Sequence, residues 1–128
     1  MGMFSAKLRI WNPAHPENVD ELDLWVDTGA AYSWISKKRL EALGIQPARR
    51  MRFRTIENRT VERDMAAVFV ASDGQIGGDT VVMAEPGDME VIAPYTLEGL
   101  SLAPDLSQKK LVPIQVGLAL TAILRHEP

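Results

Sequence analysis

Asp27, Thr28 and Gly29 stand together at the end of an apolar stretch and offer a carboxyl, a hydroxyl and a bare backbone position. A carboxyl can take or give a proton. A hydroxyl both donates and accepts a hydrogen bond. A residue without Cβ lets the chain turn, or lets something else approach, where a side chain would clash. An acid held between an apolar strand and a glycine turn is placed for proton chemistry. The strand that must hold it is legible just upstream: Leu22, Leu24 and Val26 alternate with Glu21, Asp23 and Trp25, the period of two of a half-buried strand.

The elements around that turn follow from the same patterning. Phe4, Ala6, Leu8 and Ile10 alternate with Ser5, Lys7, Arg9 and Trp11 and predict a first strand, which Asn12-Pro13-Ala14-His15-Pro16 ends, since neither proline can donate to a ladder. After the Asp27 turn, Tyr32 to Ile35 reads as a strand. Ser36 is an N-cap for a short helix over Lys37 to Leu43, with Gly44 just past its end. Met51, Phe53 and Thr55 then alternate with Arg50, Arg52 and Arg54, Glu57-Asn58-Arg59 gives a turn signal, and Thr60 to Ala71 reads as a long strand back. Further strands are expected over Thr80 to Ala84 and Met89 to Ile92, between turns at Ser72-Asp73-Gly74-Gln75 and Pro86-Gly87-Asp88. Pro94 opens a second short helix over Tyr95 to Leu100. Leu102 to Pro104 and Lys110 to Val112 flank a last turn, and Ile114 to Thr121 alternates once more. Eight or nine short strands with one or two short helices imply an all-β protein, a barrel or folded sheet, over residues 1–128 as a single domain.

Composition narrows the chemistry. With 46% hydrophobic and 24% charged residues, the 128-residue chain has the make-up of one ordinary globular domain. A net charge of −3 argues against nucleic acid or membrane as the main partner. The absence of cysteine excludes thiol nucleophiles, disulfides and zinc-thiolate sites. His15 and His126 lie far apart with no third ligand near either, so no metal is expected. The residues Met1 to Lys7 do not read as a secretory leader, position 6 is Ala where myristoylation wants Ser or Thr, and the apolar run Ile114 to Leu124 is too short to span a bilayer. The expectation is a cytoplasmic protein.

Val26-Asp27-Thr28-Gly29-Ala30 resembles the active-site signature of the retropepsin-like and pepsin-like aspartic proteases. Further along, Val91-Ile92-Ala93 stands where that family has two apolar residues and a glycine leading into a short helix beside the catalytic strand. The resemblance extends in order from about Lys7 to Pro113, and its closing hairpin is similar to that of small bacterial retropepsin-like proteins. It implies a retropepsin-like acid-protease fold and an aspartic endopeptidase that needs no cofactor. The chain is about one lobe long and carries one Asp-Thr-Gly, so the second acid must come from a second copy in a homodimer. Two carboxyls in contact cannot both ionise and share a proton, one activating water and the other polarising the carbonyl of a peptide or protein substrate. On this reading Asp27 is catalytic, Thr28 bonds across the dimer axis, Gly29 and Ala30 complete the turn, and Ile56, Glu57, Asn58 and Arg59 form the tip of a flap over the substrate. Val91, Ile92 and Ala93 support the turn from below. Ala93 departs from the family's glycine, and its methyl fits only if the backbone angles there suit an L-residue. In dimeric members, terminal strands of the two subunits interleave, a role open to Phe4 to Trp11 and Ile114 to Thr121.

Other features read as structural. Arg49, Arg50, Arg52, Arg54, Arg59 and Arg63 cluster on the expected flap; they are read as solvated faces of a hairpin, partly neutralised by Glu57, Glu62 and Asp64, in preference to a nucleic-acid surface. Asn58-Arg59-Thr60 is a sequon without a secretion signal, and Gly74, Gly77 and Gly78 do not open a helix as a phosphate loop would. Trp11, Trp25 and Trp34 read as core or interface anchors. A non-catalytic peptide-binding protein of the same fold, and a nucleic-acid-associated barrel using the arginines, are the other functions weighed.

Overall fold

The computed structural model describes residues 3–114. Beyond Ile114, the strand expected to Thr121 and the tail after it lie outside the described residues. Within them the chain forms nine strands and two short helices: β1 (Ser5–Trp11), β2 (Val19–Val26), β3 (Trp34–Ser36), α1 (Lys37–Ala42), β4 (Arg49–Arg54), β5 (Thr60–Ser72), β6 (Gln75–Ala84), β7 (Val91–Ile92), α2 (Pro94–Gly99), β8 (Leu102–Asp105) and β9 (Lys110–Pro113). The all-β expectation holds.

Seven strands make one sheet in the order β1-β2-β7-β3-β6-β5-β4, and an added pairing of β1 with β5 closes it into a ring of six. Closure removes the free edges that an open sheet would leave. The long β5 makes it possible by changing partners along one side. Its first half pairs with β4, Arg54↔Thr60 to Arg49↔Met65, and its second half pairs with β1, from Trp11↔Phe69 to Arg9↔Ala71. On the other side β6 joins β5 only from Met65 onward. Residues 60–64 therefore pair with β4 alone, and the β4–β5 hairpin projects from the ring as a two-stranded arm.

The ring is filled by the inward residues of the alternating strands. Leu8, Ile10, Leu22, Val26, Ile35, Val68, Val81, Met83 and Ile92 are all buried in one cluster, which Leu40 of α1 and Leu97 of α2 extend. Ser36 caps α1, its Oγ accepting the Arg39 N–H at 3.3 Å. The β8–β9 hairpin packs Leu102 onto the same cluster.

Several boundaries differ from the sequence reading. β6 starts at Gln75, five residues before the expected Thr80. Asp73 and Gly74 at φ +50° and +82° form a two-residue turn that sets Ser72 opposite Gln75, so the ladder runs straight on through Gln75, Gly77, Gly78 and Asp79 despite their poor strand propensity. β3 starts at Trp34 and not at Tyr32, since 31–33 are still leaving the Asp27 turn. β7 is two residues long because Met89 and Glu90 precede any pairing. Trp25 is no core residue: it lies on the outer face of β2, about half exposed.

Leu8 is wholly buried at the centre of β1. Leu8→Ala is expected to cost about 2–5 kcal/mol of unfolding free energy, read as a lower denaturant midpoint at unchanged slope.

Candidate active site

Asp27 follows the last residue of β2, and its position is set by a strand that comes much later in the chain. β7 lies between β2 and β3, the two strands that flank the Asp27 turn: it runs parallel to β2 with Val26 opposite Ile92, and antiparallel to β3 with Trp34 opposite Val91. The Asp27 N–H donates to the Ile92 carbonyl at 2.9 Å, while one residue earlier the Val26 N–H donates to the Phe4 carbonyl at 2.8 Å. The acid is thereby pinned from both sides by backbone, which a side-chain substitution does not remove.

The turn then closes on the carboxyl itself. Asp27 Oδ1 accepts the Gly29 N–H at 2.9 Å, and the Asp27 carbonyl accepts the Ala30 N–H at 3.2 Å. An Asp that bonds the backbone two residues on is a self-made turn, and it fixes the direction of the carboxyl. Asp27 and Ala30 are half-buried, whereas Thr28 and Gly29 are exposed, so the tip of the turn faces outward. Gly29 does not have a left-handed φ, and a methyl group added there would stand 3.4 Å from Asp27 Oδ1. The turn alone does not demand glycine at position 29.

Val91 and Ile92 pair with the end of β2, Ile92 accepts the Asp27 N–H, and Val91, Ile92 and Ala93 are all buried. Ala93 has φ −98° and ψ 159°, extended backbone that any L-residue adopts. The backbone angles at this position therefore suit an L-residue in place of glycine. The Ala93 N–H donates to Ser33 Oγ at 2.9 Å, and Ser33 continues to Thr96 Oγ1 at 2.5 Å. Thr96 donates to Asp79 Oδ2 at 2.5 Å, and Asp79 Oδ1 accepts the Thr80 N–H at 2.9 Å. Ser33 and Thr96 are almost completely buried. Burial pushes the Asp79 carboxyl above the ordinary aspartate range, against the opposing effect of the Thr96 and Thr80 bonds. Sequence reasoning missed this group. The available signal was Ser33 on the same inward face as Ile35, a polar residue at a core position that requires a partner.

The flap residues Ile56, Glu57, Asn58 and Arg59 occupy the tip of the arm. Their bonds stay within it: the Asn58 N–H reaches the Thr55 carbonyl at 2.9 Å, the Thr55 N–H reaches the Arg59 carbonyl at 2.7 Å, and Arg54 donates to the Asn58 side chain. Asn58 takes φ +64°, a turn conformation that Asn tolerates. Ile56 is fully exposed. What joins the arm to the Asp27 side is aromatic. Phe53 of β4 packs against Trp34 at 5.2 Å and Tyr32 at 6.4 Å between ring centroids, and Tyr32 meets Tyr95 of α2 at 5.4 Å. This string of rings, from Phe53 and Trp34 through Tyr32 to Tyr95, is the second group that the linear reading did not assemble.

Three of the six arginines of this cluster, Arg50, Arg52 and Arg63, are ion-paired. Arg50 bonds Glu62 at 3.2 Å and Asp64 at 3.0 Å, Arg52 reaches Glu62 at 3.5 Å, and Arg63 holds Asp88 with two bonds of 2.7 and 2.9 Å. Lys37 also bonds Asp64, at 3.1 Å. Of the acids expected to neutralise the cluster, Glu62 and Asp64 pair with its arginines, Glu57 makes no ion pair among the described residues, and Asp88 takes part instead. Among the described residues no cluster of three or more His, Cys, Asp or Glu could hold a metal ion, and no helix is long and apolar enough to cross a membrane.

Arg63 holds the Asp88 carboxyl below the ordinary aspartate range. Such a group stabilises the fold above its unfolded value of about 3.9, and the contribution is lost as pH falls through the lower folded value. Asp88→Asn is therefore expected to cost about 1–2 kcal/mol near neutral pH, with the gap to the wild type closing below about pH 4 in denaturant titrations.

Comparisons of the chain with protein-family models, with curated proteins and with solved structures find no match.

Proposed function

We propose that the protein is a retropepsin-like aspartic endopeptidase, acting in the cytoplasm as a homodimer on extended peptide segments with apolar side chains. The observation that carries the reading is the hold on Asp27: a carboxyl aimed by its own turn, at the end of a strand, with its N–H on the strand threaded between the two flanks of that turn. An arm stands off the same ring, and its Phe53 packs against Trp34 and against Tyr32, which follows the turn and meets Tyr95.

In this reading two Asp27 carboxyls, one from each copy, share one proton. The ionised one takes a proton from water as the water oxygen bonds to the scissile carbonyl carbon. The protonated one donates to the carbonyl oxygen. Collapse of the tetrahedral intermediate breaks the C–N bond, and the nitrogen leaves with a proton from the pair. Thr28 reaches across the axis from the exposed tip, and Gly29 leaves room for substrate backbone. The arm and sheet hold the peptide through backbone hydrogen bonds, and Phe53, Tyr32 and Tyr95 supply apolar contact to its side chains.

Asp27→Asn tests it. Hydrolysis of casein or of an apolar peptide library is expected to fall by at least about 10³-fold, while sedimentation still reports a dimer. Wild-type activity per subunit is expected to drop on dilution below the dimer dissociation constant. Cleavage that continues at the same rate in Asp27→Asn removes the mechanism. Peptide binding without hydrolysis by the wild type replaces the enzyme with a peptide-binding protein.

A further inference from the structure

The buried chain of hydrogen bonds beneath Asp27 ends on a carboxyl that the proposed chemistry does not use. We propose that Asp79 is a positioning residue for the Asp27 turn: acting through Thr96 and Ser33, it sets the hydrogen bond on the Ala93 N–H, and it does so most firmly when ionised. The catalytic half of this inference rests on the endopeptidase reading; the relay itself does not.

The sense of the relay follows from donor counting. An ionised carboxylate only accepts. Thr96 must therefore give its proton to Asp79, at 2.5 Å. The lone pairs of Thr96 then receive the Ser33 hydroxyl, also at 2.5 Å, and Ser33 is left with a lone pair for the Ala93 N–H at 2.9 Å. Every proton in the series points toward Asp79, and bonds aligned in one sense polarise one another. Ala93 directly follows Ile92, whose carbonyl takes the Asp27 N–H. Two bonds one residue apart thus tie the end of β7 on one side to the acid and on the other to the relay.

A neutral Asp79 can offer its own O–H to Thr96, and the direction of the whole series is then no longer imposed. The titratable groups facing Asp79 are Tyr95 and Glu98 of α2, which line a surface pocket with it together with Gly78 and Gly99. Its cross-strand partner on β5 is Val68. No basic group is among them, in agreement with burial raising the proton affinity of Asp79. The sign is opposite to that of Asp88. A raised folded pKa gives stability that is complete below the unfolded value and is lost as pH rises through the folded one. The fold is thus less stable in the state in which the relay is best aligned, the pattern expected when a group is kept for positioning.

The test follows the Ala93 amide and the Asp79 carboxyl carbon by NMR in the full chain, from about pH 3 to about pH 8. Both are expected to titrate with one shared midpoint above the ordinary aspartate range. In Thr96→Val, which keeps the shape and removes the hydroxyl, Asp79 still titrates but Ala93 no longer follows. Thr96→Ser, which loses a methyl but keeps the hydroxyl, restores the joint titration. In peptide hydrolysis kcat is expected to carry a step at the same midpoint, and Thr96→Val to remove that step with about a tenfold loss in kcat and less than about a twofold change in KM. An Ala93 amide that stays flat in the wild type while Asp79 titrates overturns the proposal, as does one that titrates unchanged in Thr96→Val. A wild type that shows the joint titration but hydrolyses nothing supports the relay and overturns the endopeptidase reading alone.

Discussion

The hydrogen bond from the Asp27 N–H to the Ile92 carbonyl is the contact on which the candidate site depends. It closes a long loop of chain, from the end of β2 to the end of β7, and loop closure on that scale is costly unless much else supports it. The support is the ring. β7 is only two residues long, yet it is paired on both sides, parallel to β2 and antiparallel to β3, and Val91 and Ile92 are buried. So short a strand has no stability of its own; the core holds it in place. The acid is therefore as well positioned as the core is well packed, and damage to the core should reach Asp27 through β7.

Much of the local structure is written in the chain. Alternation at Phe4 to Ile10 and at Leu22 to Val26 gave both strands because each has one face on the core and one in water. Ser36, Gly44, Gly87 and Pro94 marked helix and turn boundaries through side-chain capping, a left-handed φ or a fixed φ. What the pattern did not contain is pairing between distant segments. The closing contact of β1 with β5 involves only three residue pairs, and β6 extends through glycines that no strand propensity would select. Tertiary pairing overrides weak local preference in such places.

The site divides along the same line. Asp27, Thr28 and Gly29 were visible because they are contiguous. The relay was not, because Ser33 and Thr96 are 63 residues apart and Thr96 and Asp79 a further 17. Each of the three looks ordinary alone: a serine between aromatics, a threonine in a short helix, an aspartate beside glycines. Only folding shows that the first two are withdrawn from water, and that their burial requires them to bond each other. The aromatic group of Tyr32, Phe53, Trp34 and Tyr95 is scattered in the same way over three elements and the loop after Asp27.

Polar interactions are also divided by depth, from solvated pairs within the arm to the buried hydroxyls beneath Asp27. The base of the arm is tied to α1 and to the turn before β7 by sheltered pairs, Lys37 to Asp64 and Arg63 to Asp88, whereas within the arm Arg50 and Arg52 pair with Glu62 and every partner is about half exposed or more. Pairs of this kind contribute about 0–1 kcal/mol each and weaken with salt. Beyond Met65 the arm has no third strand, and an isolated two-stranded hairpin is marginal in water. Beneath Asp27 the case is reversed. Breaking one link of the buried relay strands a hydroxyl or an amide away from water, at about 1–3 kcal/mol. Lifting the whole arm therefore costs the Phe53 packing and two sheltered ion pairs, while moving the acid costs the buried relay. Only the tip at residues 56–59, whose hydrogen bonds stay within the arm, can shift without breaking a bond that reaches the hold on Asp27.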